Sequence, residues 1–154
     1  MDAQVDVKAI VLKTLRFERR LTRESVAAMA DADMNFQPTP EQMAFGQQAL
    51  HILSAYATLL GALAGQGWVW DQGLTLEKYP TREAILQLYD EETARLERFL
   101  EELAPERFGE IIQTGWGTQE SLAQILIDWI AHECHHRGQM VVYLRLREAT
   151  PPRY

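Results

Sequence analysis

Three of the four histidines fall within the eight residues His132-Glu133-Cys134-His135-His136-Arg137-Gly138-Gln139, and the fourth, His51, stands alone far upstream. Imidazole nitrogens bind divalent metals, and two of them on one helical face can share an ion. On an α-helix, residues four apart lie about 40° apart around the axis and one turn along it. His132 and His136 therefore stack on one face. The apolar arc of the same stretch runs through Leu122, Ile125, Leu126, Trp129, Met140, Tyr143 and Leu144. Both histidines fall inside that arc, whereas His135 falls well outside it and is expected at the surface. Cys134 lies off the apolar face and is read as incidental.

A single inward histidine is usually a satisfied core side chain. A pair at this spacing is a different problem, because each neutral buried imidazole needs both a donor and an acceptor partner. A shared cation satisfies one nitrogen of each. Spacing alone leaves the satisfied pair and the metal pair both open. The residues also spell H-E-x-x-H, in which Glu133 would be the general base of a zinc protease. That reading carries little weight, since no further histidine follows His136 and little chain remains to build a cleft.

His51 shares a helical stripe with Ala44, Gln47, Gln48, Ala55, Thr58 and Ala62, away from the centre of its helix's apolar arc. The stripe reads either as solvated surface or as the wall of a pocket, where small residues leave room for a metal and a ligand. Periodicity favours the surface.

Four amphipathic segments must position these residues. The first is expected over about Val5–Ala30, with Val7, Ile10, Val11, Thr14, Leu15, Phe17, Leu21 and Val26 on its buried face. The second is expected to begin at Thr39, with Pro40 at its first position and Gln42 completing a capping box, and to end at Gly65 and Gly67. Trp68 and Trp70 follow in a loop and are expected to lid the end of a bundle. The third starts at Thr81 with Glu83 in its first turn and closes at Ala104-Pro105. Residues 106–117 read as a long loop with a short extended piece. The fourth is expected from about Thr118, with Glu120 in its first turn, to about Glu148. This is an all-α, four-helix bundle occupying 1–154 as one domain.

The net charge of −7 and the absence of a basic stripe argue against nucleic-acid and membrane partners. The run Arg16-Phe17-Glu18-Arg19-Arg20 reads as a solvated helix face. No signal segment or membrane span is apparent, and the single cysteine fits a reducing cytoplasm.

The segments Phe36-Gln37-Pro38-Thr39-Pro40-Glu41-Gln42-Met43-Ala44-Phe45-Gly46 and Ala49-Leu50-His51-Ile52 resemble the second helix of the DinB/YfiT-like family. Trp129-Ile130-Ala131-His132-Glu133-Cys134-His135-His136-Arg137-Gly138-Gln139 resembles its fourth. The resemblance implies a mirror-like variant of the up-and-down four-helix bundle, often a homodimer. It also implies a divalent metal held by His51, His132 and His136, with zinc or nickel expected and manganese or iron as further options. Relatives include thiol transferases, so the expected function is transfer of a low-molecular-weight thiol to a small electrophile. A non-catalytic stress-associated metal-binding module and a metal-dependent hydrolase are the alternatives. Glu133 and Gln47 are the expected supporting or substrate-orienting groups. Arg137 and Gln139 are expected to make helix-end and interface hydrogen bonds.

Overall fold

The computed structural model describes residues 5–153, so the first four residues and Tyr154 of the expected domain lie outside it. Four helices dominate: α1 (Val7–Ala28), α2 (Phe45–Leu63), α3 (Arg82–Glu102) and α4 (Leu122–Leu146). Two short strands, β1 (Ile111–Gln113) and β2 (Gln119–Ser121), form an antiparallel hairpin before α4 with Ile112 opposite Glu120. No helix among the described residues is long and apolar enough to cross a membrane.

The helix starts show which local signals prevailed. Asp6 caps α1 by accepting from the Ala9 amide at 2.9 Å, and Thr81 caps α3 by accepting from Ala84 at 3.1 Å. Helix α2 does not start at Thr39. Residues 39–42 close a separate turn, and the Phe45 and Gly46 amides donate to the carbonyls of Phe36 and Met34, each at 2.8 Å. The folded-over chain thus satisfies first-turn amides of the helix without a side-chain cap. Gly46 permits this approach, because a Cβ there would stand 2.7 Å from Leu76 Cδ2 and 3.2 Å from the Met34 carbonyl. Helix α4 likewise starts later than expected, at Leu122 with Ser121 as its cap. Glu120 belongs to β2, because β-branched Ile111 and Ile112 supply a pairing partner and the Thr114–Thr118 hydrogen bonds close the turn.

The packing order follows from contacts between named residues. Lys8 donates to the Glu101 and Leu103 carbonyls, both at 2.6 Å, and Arg23 pairs with Asp90, so α1 runs antiparallel to α3. Met43 meets Tyr143 and Ala55 meets Trp129, so α2 runs antiparallel to α4. Val7 and Ile10 share a groove with Ile127, while Glu18 pairs with Arg137, so α1 and α4 are parallel. The bundle therefore runs up, down, down, up. Helices α1 and α2 stand across one diagonal, α3 and α4 across the other. Parallel neighbours α2 and α3 require a connection that returns along the bundle, and residues 64–81 provide it. On the way the Val69 carbonyl accepts from Thr58, and the Leu76 side chain reaches Gly46.

The apolar core draws on all four helices, including Leu15, Leu53, Leu96 and Leu126. The expected α1 face is rotated from the observed one: Val11, Leu15, Leu21 and Val26 are buried, but Val7, Ile10 and Phe17 are exposed. The room they would have taken goes to Arg19, only 2% exposed, which corrects the reading of its run as solvated surface. Arg19 Nε and Nη2 donate to Thr93 of α3 at 3.1 and 2.7 Å, and its guanidinium lies over the rings of Tyr89 and Tyr56. Nη1 faces the Glu133 carboxylate at 3.8 Å. Tyr56 and Tyr89 donate to the two oxygens of Glu133 at 3.0 and 2.5 Å. Burial, joined by the Glu133 charge, pushes both phenols well above their usual range, so they remain donors.

Every helix contributes to this fully buried cluster. Removing one partner of a buried ion pair costs about 3–5 kcal/mol, because the other charge stays behind without compensation. Glu133→Ala should lower unfolding free energy by about that amount in denaturant titration. A loss below about 1 kcal/mol would show that the cluster tolerates a missing anion.

Candidate metal centre

His51 projects from the middle of α2, and His132 and His136 from successive turns of α4. Because α2 and α4 are antiparallel neighbours, the three rings meet. Ring centroids lie 4.5 Å apart for His51–His136 and His132–His136, and 4.9 Å apart for His51–His132. The Nε2 atoms of His51 and His132 are 3.0 Å apart. One nitrogen from each histidine can be chosen so that all three lie within 4.8 Å of one another. The stripe on α2 is therefore a pocket wall rather than solvated surface.

The donor set fits a divalent ion. A metal–nitrogen distance of about 2.1 Å limits any two ligand atoms to about 4.2 Å. The observed bound exceeds that only slightly, within reach of small side-chain rotations. His136 Nδ1 meets Gln48 Oε1, which holds the proton on Nδ1 and leaves Nε2 as the free donor. Gln48 is itself fixed, since its amide donates to Gln139 Oε1 at 2.6 Å, and Gln139 meets the exposed His135 at 3.0 Å. Burial pushes His132 down to about 4, and the neighbouring His51 adds to that shift. Burial does the same to His136, helped by His132 and His51, and it also lowers His51. Neutral imidazoles at physiological pH have no proton to displace before they bind a cation.

Two supporting groups stand elsewhere than expected. Gln47 does not reach the histidines; its amide donates to the Leu74 carbonyl at 3.4 Å and ties the returning connection to α2. Its neighbour Gln48 holds the ligand. Glu133 follows His132 in sequence but points the other way, into the core, where Tyr56 and Tyr89 occupy its carboxylate. The H-E-x-x-H base role has no geometry here. Arg137 is no helix-end residue either: it is buried and pairs with Glu18, donating also to the Glu18 carbonyl at 3.1 Å. Gln139 keeps a hydrogen-bonding role, but at the metal-binding cluster. Cys134 is half-buried beside Glu18 and Arg137, and burial raises its thiol to about 11.

A cavity of about 200 Å³ opens beside His51 and His132, lined also by Ser54, Ala55, Thr58, Trp70, Asp128 and Trp129. Trp129 is anchored by donating to the Ala55 carbonyl at 2.7 Å. The tryptophans expected only to lid the bundle divide their work: Trp68 packs against the core, and Trp70 walls the cavity.

The sign of the pH response follows from the lowered histidines. At His132 and His136 protons compete with a metal only as pH falls towards about 4, not through the usual 6.5, and at His51 burial shifts the competition in the same direction. Zinc affinity, measured against a competing chelator, should be flat from about pH 7.5 to about 5.5 and fall below that. Gln48→Leu should weaken it about 10- to 100-fold at neutral pH. A steep loss through pH 6.5, or an unchanged Gln48→Leu, would remove this account of the ligands.

Comparisons with known proteins place the fold. No curated protein sequence matches the chain. Among solved structures, a DinB-like protein from Bacillus cereus ATCC 10987 is similar with TM-score 0.76 at 22% identity, covering 94% of this chain and 95% of that one. A DinB-like protein from Bacillus subtilis, YjoA, follows with TM-score 0.74 at 20% identity, covering 94% and 96%. YfiT from Bacillus subtilis, described as a probable metal-dependent hydrolase with an unusual four-helix bundle topology, has TM-score 0.70 at 15% identity, covering 97% and 93%. The family model of the DinB family matches residues 2–154. With its fold, its histidine cluster and this match over nearly its whole length, the chain belongs to the DinB family.

Proposed function

We propose that the protein is a divalent-metal enzyme that transfers a small, low-molecular-weight thiol to a small electrophile, with zinc or nickel held by His51, His132 and His136. The observation that carries this reading is the cavity opening directly onto two of three converging, neutral histidines. Three protein ligands leave room for a further one, the mark of a catalytic rather than a closed structural site. When bound, such an ion supplies the Lewis acidity that keeps a thiol deprotonated near neutral pH.

The chain's own residues do the rest. Gln48 fixes His136, and Trp129 and Ala55 seal the side of the cavity against water. Glu133 is held by its two tyrosines and takes no proton from the cavity. Transfer of a thiol that the metal keeps ionised needs no protein base, and Glu133 supplies none. Hydrolysis is the second reading, supported by the description of YfiT. The setting in either case is the cytoplasm, where the lone thiol of Cys134 stays reduced.

A panel of thiols and electrophiles, assayed with zinc, nickel and manganese, separates these readings. Thiol-dependent turnover should fall more than about 100-fold in His136→Ala. Equal turnover in that variant would reject the metal centre. Thiol-independent cleavage of esters or amides by the metal-loaded protein would replace transfer with hydrolysis.

We also infer a homodimer built on the α1/α4 face. Val7, Ile10, Val11, Thr14, Ile127 and Ile130 line an apolar groove of about 280 Å³ there, and Ile10 and Ile127 are 55% and 51% exposed. Exposed apolar strips of this kind mark association surfaces. Light scattering should give twice the chain mass for the wild type and a single chain for Ile127→Glu. A monomeric wild type would reject the pairing.

A further inference from the structure

We propose, building on the metal-centre reading above, that the part of the cavity walled by Trp70, Trp129 and Asp128 is a seat for an organic ammonium group. Helix α2 runs along the cavity from His51 past Ser54 and Ala55 to Thr58, about 10 Å at 1.5 Å per residue. Trp70 and Asp128 line the cavity with them, and Asp128 stands one helical turn before His132 on α4.

Two observations fix the chemistry of that seat. The first is aromatic. Trp68, Trp70, Trp116 and Trp129 form one cluster with neighbouring ring centroids 5.3–6.2 Å apart. It is held by Trp68 donating to the Gln113 carbonyl at 3.1 Å, and by Gly115, where a Cβ would come within 2.7 Å of Trp68. Two of its members line the cavity, and Trp70 keeps 53% of its surface open. Indole faces are the best aromatic partners of a cation.

The second observation is charge. Among the described residues, Asp128 is the one carboxylate lining the cavity, and no lysine or arginine lines it. Asp128 accepts a hydrogen bond from Gln124 at 2.8 Å and, among the described residues, is paired with no cation. An exposed carboxylate in a cavity that two indoles also line favours a positive group over an acidic one.

Because Asp128 stands one helical turn before His132, its charge also offsets the repulsion between a metal and an ammonium group. A neutral apolar end would gain contact with the indoles but nothing from Asp128.

All four tryptophans of the chain belong to this cluster, so intrinsic tryptophan fluorescence reports on it alone. The zinc-loaded protein is titrated with choline and with its uncharged isostere 3,3-dimethyl-1-butanol. Choline should bind at least about tenfold more tightly. Trp70→Leu, which keeps an apolar side chain without a π face, and Asp128→Asn should each bring choline down to the isostere's affinity. Equal binding of the two probes would overturn the proposal, as would a preference for choline that survives both substitutions. Zinc titration of the same samples tests the metal centre separately. Failure there would remove the metal while leaving the ammonium result readable in metal-free protein.

Discussion

The Glu133 carboxylate, held by Tyr56 and Tyr89 and facing Arg19, is the constraint on which the rest of the molecule depends. An apolar seam tolerates small slips and rotations, because one hydrophobic contact is much like the next. A buried charged group does not, since any displacement leaves it without partners in a low-dielectric surrounding. With Arg19 on α1, Tyr56 on α2, Tyr89 and Thr93 on α3 and Glu133 on α4, the cluster sets the register of all four helices at one level. The rotation it imposes on α4 is also the one that turns His132, the preceding residue, towards α2. The site is assembled from behind.

Helix order then decides what can surround the histidines. A bundle in which every helix packs on its sequence neighbour needs only short turns. Here two connections cross diagonals and the third returns between parallel helices, so all three are long. The extra chain is put to use. The returning connection supplies Trp70 to the cavity, and the hairpin before α4 supplies Trp116 to the cluster that backs it.

Much of this was legible in the sequence, and the exceptions share a cause. Periodicity located four helices, Thr81 marked the start of α3, and spacing placed His132 and His136 on one face with His135 outside. The expected start of α2 at Thr39 failed because backbone carbonyls from a distant turn met the amides that a local cap would have satisfied. The expected α1 face was rotated because counting apolar residues cannot reveal that an arginine will be buried against tyrosines two helices away. Gln47 and Gln48 shared one stripe with His51, and only the crossing of α2 over α4 decides which of them meets a ligand. His51 itself was ambiguous because a wheel shows direction and not what stands opposite. Composition gave no sign of the Glu133 cluster, although the glutamate was in plain view within a motif suggesting another role.

The division of labour between helices and connections bears on how such a scaffold can change. The histidines, Gln48 and the Glu133 cluster are fixed on rigid helices, where a substitution disturbs packing on several sides. Trp70 sits on the return segment, half open to solvent, while its neighbours Val69 and Gln72 are tied to Thr58 of α2 by hydrogen bonds and Trp68 packs against the core. Exchanging that segment alters the shape and polarity met by an incoming molecule while leaving the reactive centre and the folding core alone. Diversification of specificity thus has an inexpensive route in this architecture, and it is opened by the same parallel pair of helices that made the connection long.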